Sequence, residues 1–283
     1  MKIAIIGAGR MGSAFAWYLS RAGHEVTLVA RGERLARLQQ DGAIVTVEGV
    51  SAPVKAASAL DPTVEWDGVL VMVLAHQVKP LLPALRESKA KSIVYLFNTV
   101  EPLQPLRDAV GAQRVEFGFP TGFSLLVDGK LKATFSGPGQ EVTVSSQAWA
   151  ETFRAAKLRS VVEPDMESFL RTHAAFVIPL MASGAVVFKR NAGISWSEAR
   201  TFARVVKEGI AIVTRAGNRL VPSSIAFLLK LPVPVLTLVM FLVNKSQVQK
   251  DLGSMGPGEV RELIDGMQAL APGAAPTMLS VRP

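Results

Sequence analysis

Apolar and polar positions follow two periods along the first hundred residues. Near-continuous apolar runs predict buried strands at 2–7 (KIAIIG), 68–74 (GVLVMVL) and 91–98 (KSIVYLFN), with a further strand at 24–31 (HEVTLVAR). Between them lie segments whose apolar residues recur every three or four positions. These are MGSAFAWYLSRAG (11–23), closed by Gly23 as a C-cap, GERLARLQQDG (32–42) and QVKPLLPALRE (77–87). Strands alternating with amphipathic helices predict a doubly wound parallel sheet, covered on both faces.

From about residue 110 the pattern loosens. RVEFGF (114–119), LKATFSG (131–137) and LRSVV (158–162) read as strands, SSQAWAETFRAAK (145–157) as a helix, and SGPGQ (136–140) as a turn. After Pro164 only helical spacing remains, at 165–189, 195–217 and 256–271. The expected architecture is therefore α/β: a Rossmann domain over 1–164, then an all-helical domain over 165–283 for substrate binding and dimerisation. The longest apolar stretch, IAFLLKLPVPVLTLVMFLV (225–243), is broken by Lys230, Pro232 and Pro234. Its clean remainder falls short of the ~20 residues of a membrane span. A buried helix or a homodimer interface is the expected role, in preference to a patch on a membrane surface.

Composition narrows the class. The chain has 283 residues and no cysteine, which excludes a disulfide scaffold and allows a reducing, cytoplasmic setting. A net charge of +8 is spread along the chain without dense basic runs or interleaved aromatics. It suits an anionic cofactor and a small anionic substrate better than nucleic acid. Three scattered histidines provide no metal-ligand spacing.

The chemistry announces itself at GAGRMG, the six residues Gly7, Ala8, Gly9, Arg10, Met11 and Gly12. They follow a strand and open a helix in the G-x-G-x-x-G spacing. The first glycine permits a tight turn, the second lets backbone approach a pyrophosphate, and the third lets helix and strand pack closely. The helix N-terminus offers free N–H groups to phosphate. The second strand then ends at Arg31, 19 residues after Gly12, where an NAD site places an acid. A guanidinium there matches a 2′-phosphate, with Arg34 one turn further on to assist, so the expected cofactor is NADP(H).

With its loop, its Arg31 and the run LSRAGHEVTLVARGERLARL, the chain resembles the ketopantoate reductase family (2-dehydropantoate 2-reductase, ApbA/PanE type). The resemblance implies NADPH-dependent hydride transfer to a keto acid in a site between a Rossmann and a helical domain. It assigns Gln77 (in VLAHQV) and Asn98 (in LFNTV) to the cofactor, with Leu74 and Thr99 in place of the family's lysine and glycine. It aligns KSQVQKDLGSMGPGEV with a family segment that contacts substrate, placing Ser246 and Gln247 at the substrate, and Asp251 and Glu259 at the family's acid spacing. The family's catalytic lysine, followed four residues later by asparagine, falls on SFLRTHAAFVIPL (168–180). Anchoring on IPL puts these two positions at Leu170 and Ala174; anchoring on Phe169 puts them at Arg171 and Ala175. Neither anchoring retains the lysine or the asparagine.

A reductase must stabilise and then protonate a developing alkoxide. Arg171 can dock a carboxylate but does not release a proton. His173 can, and it shares a helix face with Leu170 and Ala174. Arg171, His173 and Glu259 are therefore the catalytic candidates, with His76 a weaker one. The expected activity is an NADPH-dependent reductase of a carbonyl substrate other than ketopantoate. The alternative is a non-catalytic NADPH-binding sensor that has lost its acid.

Overall fold

Strand β1 (Lys2–Ile6) is buried along nearly its whole length and forms the axis of the first layer. This computed structural model describes residues 1–135, 137, 139–253 and 257–283. Helix α1 (Arg10–Arg21) follows β1 and buries Gly12, Ala14, Phe15, Ala16 and Leu19, the inward stripe of its apolar period. Then come β2 (Glu25–Val29) and α2 (Gly32–Asp41), the latter closed by Gly42 in the left-handed conformation. Three short strands, β3 (Ala43–Val45), β4 (Ser51–Pro53) and β5 (Lys55–Ala57), lead into β6 (Gly68–Val71).

The chain continues through α3 (Leu82–Glu87), β7 (Ile93–Leu96), α4 (Gln104–Val110), β8 (Val115–Pro120), β9 (Phe123–Val127), β10 (Lys130–Thr134), β11 (Val142–Val144), α5 (Gln147–Ala155) and β12 (Ser160–Val162). Eight strands form one sheet in the order β12-β11-β8-β7-β6-β1-β2-β5. Every ladder is parallel except the one between β11 and β8. The chain leaves β1 for β2 on one side and reaches β6 on the other. This makes a topological switch point at the carboxyl end of β1, where such sheets receive their ligands.

The expected helix over 77–87 is shorter. Pro80 and Pro83 each lack an N–H, and the chain makes two tight turns (Ala75–Gln77 and Lys79–Leu81) before α3 begins. Of the expected 136–140 turn, positions 136 and 138 lie outside the described residues. Gln140 there accepts the Gly137 N–H through its side chain.

Two compact units divide the chain: Met1–Phe97 with Leu103–Met166, and Asn98–Pro102 with Glu167–Pro283. Asn98 to Pro102, which the strand pattern attaches to the first half, thus pack with the second. That unit is helical: α6 (Met166–Arg190), α7 (Trp196–Arg215), α8 (Ser223–Lys230), α9 (Val233–Val243), α10 (Gln247–Gly253), α11 (Gly258–Leu270) and α12 (Pro276–Ser280). Helix α6 is long and apolar enough to cross a membrane, yet 72% of its apolar window is buried. It serves as a core helix, packing Ala174, Ala175, Ile178 and Met181 against Phe202, Val205, Leu263 and Met267. Helix α7 starts at a capping box in which Ser195 and Glu198 bond each other's backbone N–H.

The 225–243 stretch is two helices. Leu231 and Pro232 break it, and the axes of α8 and α9 differ by 107°. Only part of it is buried; Phe227, Val235, Leu238 and Leu242 lie exposed.

Candidate nucleotide site and acid–amide pair

The phosphate loop occupies the switch point of the first unit. Gly7 continues the ladder, donating its N–H to Val29 O at 3.1 Å, then turns with φ +110°. A Cβ there would lie 2.4 Å from Met72 O, and one on Gly12 would lie 1.8 Å from Gly7 O. Neither position has room for a side chain. A Cβ on Gly9 meets nothing within 4 Å, so that face is open to a ligand. Gly9 caps α1 without a side-chain bond, and the first turn carries no acid, which leaves its N–H groups and positive dipole end for an anion.

Arg31 stands at the N-cap of α2, exposed, its side chain making no hydrogen bond or ion pair among the described residues. Arg34, expected to assist it, turns toward the loop. Its Nε donates to Ala8 O at 3.2 Å and its Nη2 to Ser13 Oγ at 2.9 Å, while Ser13 Oγ donates to Ala8 O at 3.1 Å. Arg34 and Ser13 therefore brace the loop from beneath. Ser124 adds a second brace, donating to Arg10 O at 2.9 Å from β9. Spacing within the loop could not reveal Ser13 or Ser124, because their role depends on partners distant in sequence. Gln77 closes its own turn by accepting the Leu74 N–H at 3.2 Å.

The second unit holds a polar pair. Asn98 follows β7 directly, and Glu259 lies in the first turn of α11. Asn98 Nδ2 donates to Glu259 Oε1 at 2.5 Å, across 161 residues of chain. A carboxylate can only accept, so Glu259 fixes which end of the amide faces it. Asn98 Oδ1 is left buried without a partner among the described residues. A buried acceptor in that state can take an N–H or O–H from water or from a ligand. Beside it, Gly266 of α11 faces Val100, whose Cγ2 would lie 2.3 Å from an added Cβ, so the helix can approach the 98–102 segment closely.

The candidates on α6 are placed otherwise than expected. Arg171 is buried, and its guanidinium is already engaged. Nε donates to Val100 O at 3.0 Å, Nη1 donates to Asn218 Oδ1 at 2.6 Å and pairs with Glu167 Oε1 at 2.8 Å. It ties α6 to the 98–102 segment and to the turn after α7, and does not present itself to a substrate carboxylate. His173 is buried between Phe169, stacked at 6.1 Å, and Phe176, edge-on at 6.4 Å. Burial disfavours its charged form and lowers its pKa to about 4, so it is neutral near pH 7 and a poor proton store. Leu170 and Ala174 are core residues.

Ser246, just before α10, accepts the Gln249 N–H through Oγ, and Gln247 donates to Asp251 Oδ1 at 2.9 Å, so both candidate substrate residues make local helix contacts. Sequence reasoning passed over Gln249, which is buried and joins α10 to Leu180 O and Ser183 of α6.

A parallel sheet with a glycine-rich loop at its switch point, followed in the chain by a helical unit, defines a Rossmann-type nucleotide-binding fold. The family model described as "Ketopantoate reductase PanE/ApbA" matches residues 3–148. The chain belongs to that family, whose members are oxidoreductases. Among curated relatives it is 30% identical over 109 residues to 2-dehydropantoate 2-reductase of Bacillus subtilis (strain 168), covering 38% of this chain and 36% of that protein. The chain spans less than half the length of the curated relatives it matches. Solved structures share the fold over the whole chain. A PanE/ApbA family ketopantoate reductase from Ralstonia eutropha JMP134 superposes with a TM-score of 0.73 at 22% identity, covering 100% of this chain and 96% of that one. D-mandelate dehydrogenase in complex with NADH gives 0.73 at 15% identity, with the same coverage.

Proposed function

We propose that this protein is an NADPH-dependent reductase of a carbonyl group in a small anionic, keto acid-like substrate other than ketopantoate. The observation that carries this reading is the Asn98–Glu259 hydrogen bond. It joins two of the positions at which the chain keeps the family's polar residues, and leaves a buried acceptor, Asn98 Oδ1, without a donor among the described residues.

The residues present fit the cofactor. The open face of Gly9 and the free first turn of α1 suit a pyrophosphate, and the unengaged Arg31 suits a 2′-phosphate. Bound, a reduced nicotinamide supplies a hydride. The protein's part is orientation and the proton. Asn98 Oδ1 accepts from a carboxamide or hydroxyl of a ligand. Glu259 holds the amide in place through Oε1 and relays a proton taken up from solvent toward the developing alkoxide. Buried apolar Leu170 and Ala174, at the positions that one anchoring aligns with the family's lysine and asparagine, support a substrate other than ketopantoate. The net charge of +8 favours an anionic one.

NADPH oxidation measured against a series of α-keto acids of increasing apolar size tests the reading. Turnover that falls sharply in Glu259→Gln supports it. A second reading is a non-catalytic NADPH sensor, favoured by the engagement of Arg171 and the burial of His173. Tight NADPH binding with no oxidation in the presence of any keto acid, aldehyde or imine would establish the second reading over the first.

A further inference from the structure

Helix α9 has its polarity reversed. Its sequence, VPVLTLVMFLV, contains a single polar side chain, Thr237, which is buried and donates to Val233 O at 2.7 Å. The outward stripe, Val235, Leu238 and Leu242, is wholly apolar and 42%, 47% and 55% exposed. A surface helix ordinarily turns its polar positions to water, and one that is apolar all round is ordinarily covered. Across the bend at Pro232, Phe227 of α8 is 72% exposed. At 8 and 11 residues, neither helix can cross a bilayer.

The charge around this elbow is one-sided. From Trp196 to Asp251 the chain carries eight Lys and Arg, among them the exposed Arg200, Arg204, Lys230 and Lys245, against three acids: Asp251, which accepts from Gln247, Glu198, which pairs with Arg190, and Glu208. The Glu208 carboxylate is already committed, accepting the Thr277 N–H at 2.9 Å and the Met278 N–H at 2.7 Å. At the far end of α9, the exposed Trp196 packs edge-on to Phe241 at 5.7 Å, and Lys245 Nζ sits 4.2 Å from the Phe241 ring centroid. Aromatic rings beside a cation are the usual furniture of a membrane–water boundary.

We propose that the α8–α9 elbow is a docking surface for an anionic lipid bilayer: its apolar outward face enters the headgroup region and its unbalanced cations meet lipid phosphate. A second copy of the chain is the poorer occupant. A twofold interface would set this basic face against itself, with its few acids outnumbered by cations. Amphipathic elements of this kind bind by apolar burial and by attraction to anionic headgroups together, so both contributions are open to test.

The experiment is co-sedimentation of the full chain with vesicles of phosphatidylcholine containing phosphatidylglycerol, compared with phosphatidylcholine alone, at low and high salt. Sedimentation velocity without lipid runs in parallel. The wild type is expected to bind the anionic vesicles, to release at high salt, and to be monomeric without them. Leu238→Gln with Leu242→Gln, both exposed and so compatible with folding, should weaken binding about tenfold. Arg204→Glu with Lys230→Glu should do so by a similar factor at low salt only. Thermal melts and NADPH binding check that each variant is folded. Failure to bind anionic vesicles, or binding indifferent to both double variants, overturns the proposal. So does a lipid-free dimer that Leu238→Gln and Leu242→Gln dissolve, which would make a second copy the occupant.

Discussion

Glu259 Oε1 receives the side-chain amide of Asn98 at 2.5 Å, and the opposite face of that amide, Oδ1, is buried with no partner among the described residues. A residue on helix α11 thus aims a group that belongs, in chain order, to the end of a sheet strand. Replacing Glu259 by Gln removes the charge and lets the facing amide turn over. Steady-state kinetics on a turned-over keto acid should show kcat lower by about a hundredfold, the usual size of a lost acid–base contribution. Calorimetric NADPH affinity should change little. Unchanged kcat would remove Glu259 from the chemistry.

Arg31 and Arg34 separate into two roles that titrations can tell apart. Arg31 is exposed and unengaged, so Arg31→Ala should weaken NADPH by about tenfold or more, the cost of a charge-assisted contact, and leave NADH nearly untouched. Arg34 holds Ala8 O and Ser13 Oγ. Arg34→Ala loosens the loop itself and should weaken both dinucleotides by the same factor. An NADPH-to-NADH ratio unchanged by Arg31→Ala would overturn the assignment of a 2′-phosphate to Arg31.

Arg171 is a strut. Truncation to Ala leaves Val100 O and Asn218 Oδ1 without their donor and Glu167 without its cation. Denaturant unfolding should show a loss of about 3 kcal/mol, as for other broken buried pairs. Arg171→Lys keeps the charge but cannot reach three acceptors in a fixed fork, and should recover only part of it.

His173 makes stability depend on pH. Its folded pKa is about 4, below the ordinary 6.5, because burial penalises the cation. As pH falls through 6.5 the unfolded chain takes up a proton that the folded chain refuses, and folding loses free energy until about pH 4. The stability contributed above 6.5 is therefore lost on acidification, on the order of 3 kcal/mol across the window. Urea unfolding from neutral to mildly acid pH should show this slope, and His173→Phe, matching the rings around it, should flatten it. The same variant should leave the pH profile of turnover unmoved, because a neutral buried imidazole is not the proton donor.

The phosphate loop was legible because its requirements are local. A positive φ at Gly7 and close approaches at Gly7 and Gly12 are properties of a few adjacent residues, and so is the period that makes β1 a strand and α1 a helix. The 77–87 segment misled because its apolar spacing is helical while Pro80 and Pro83 interrupt the backbone hydrogen bonds. On α6, helical spacing correctly placed His173 on one face with Leu170 and Ala174. It could not say that this face meets the core, because amphipathicity is weak in a helix apolar on nearly every side.

By itself the sequence determined the alternation of β1, α1, β2, α2, β6 and β7 and the helical character after residue 164, though not the short strands β3, β4, β5, β9 and β11; it also determined the glycine loop that opens α1 and the arginine just after β2, because each follows from steric and hydrogen-bonding rules acting over a few neighbouring residues. Only the tertiary structure decided that Asn98 meets Glu259, that Arg171 is spent on Val100, Asn218 and Glu167, and that the outer face of α9 is left in water. Each of those outcomes depends on which elements come to lie side by side, and residues 161 positions apart carry no local signal of their meeting.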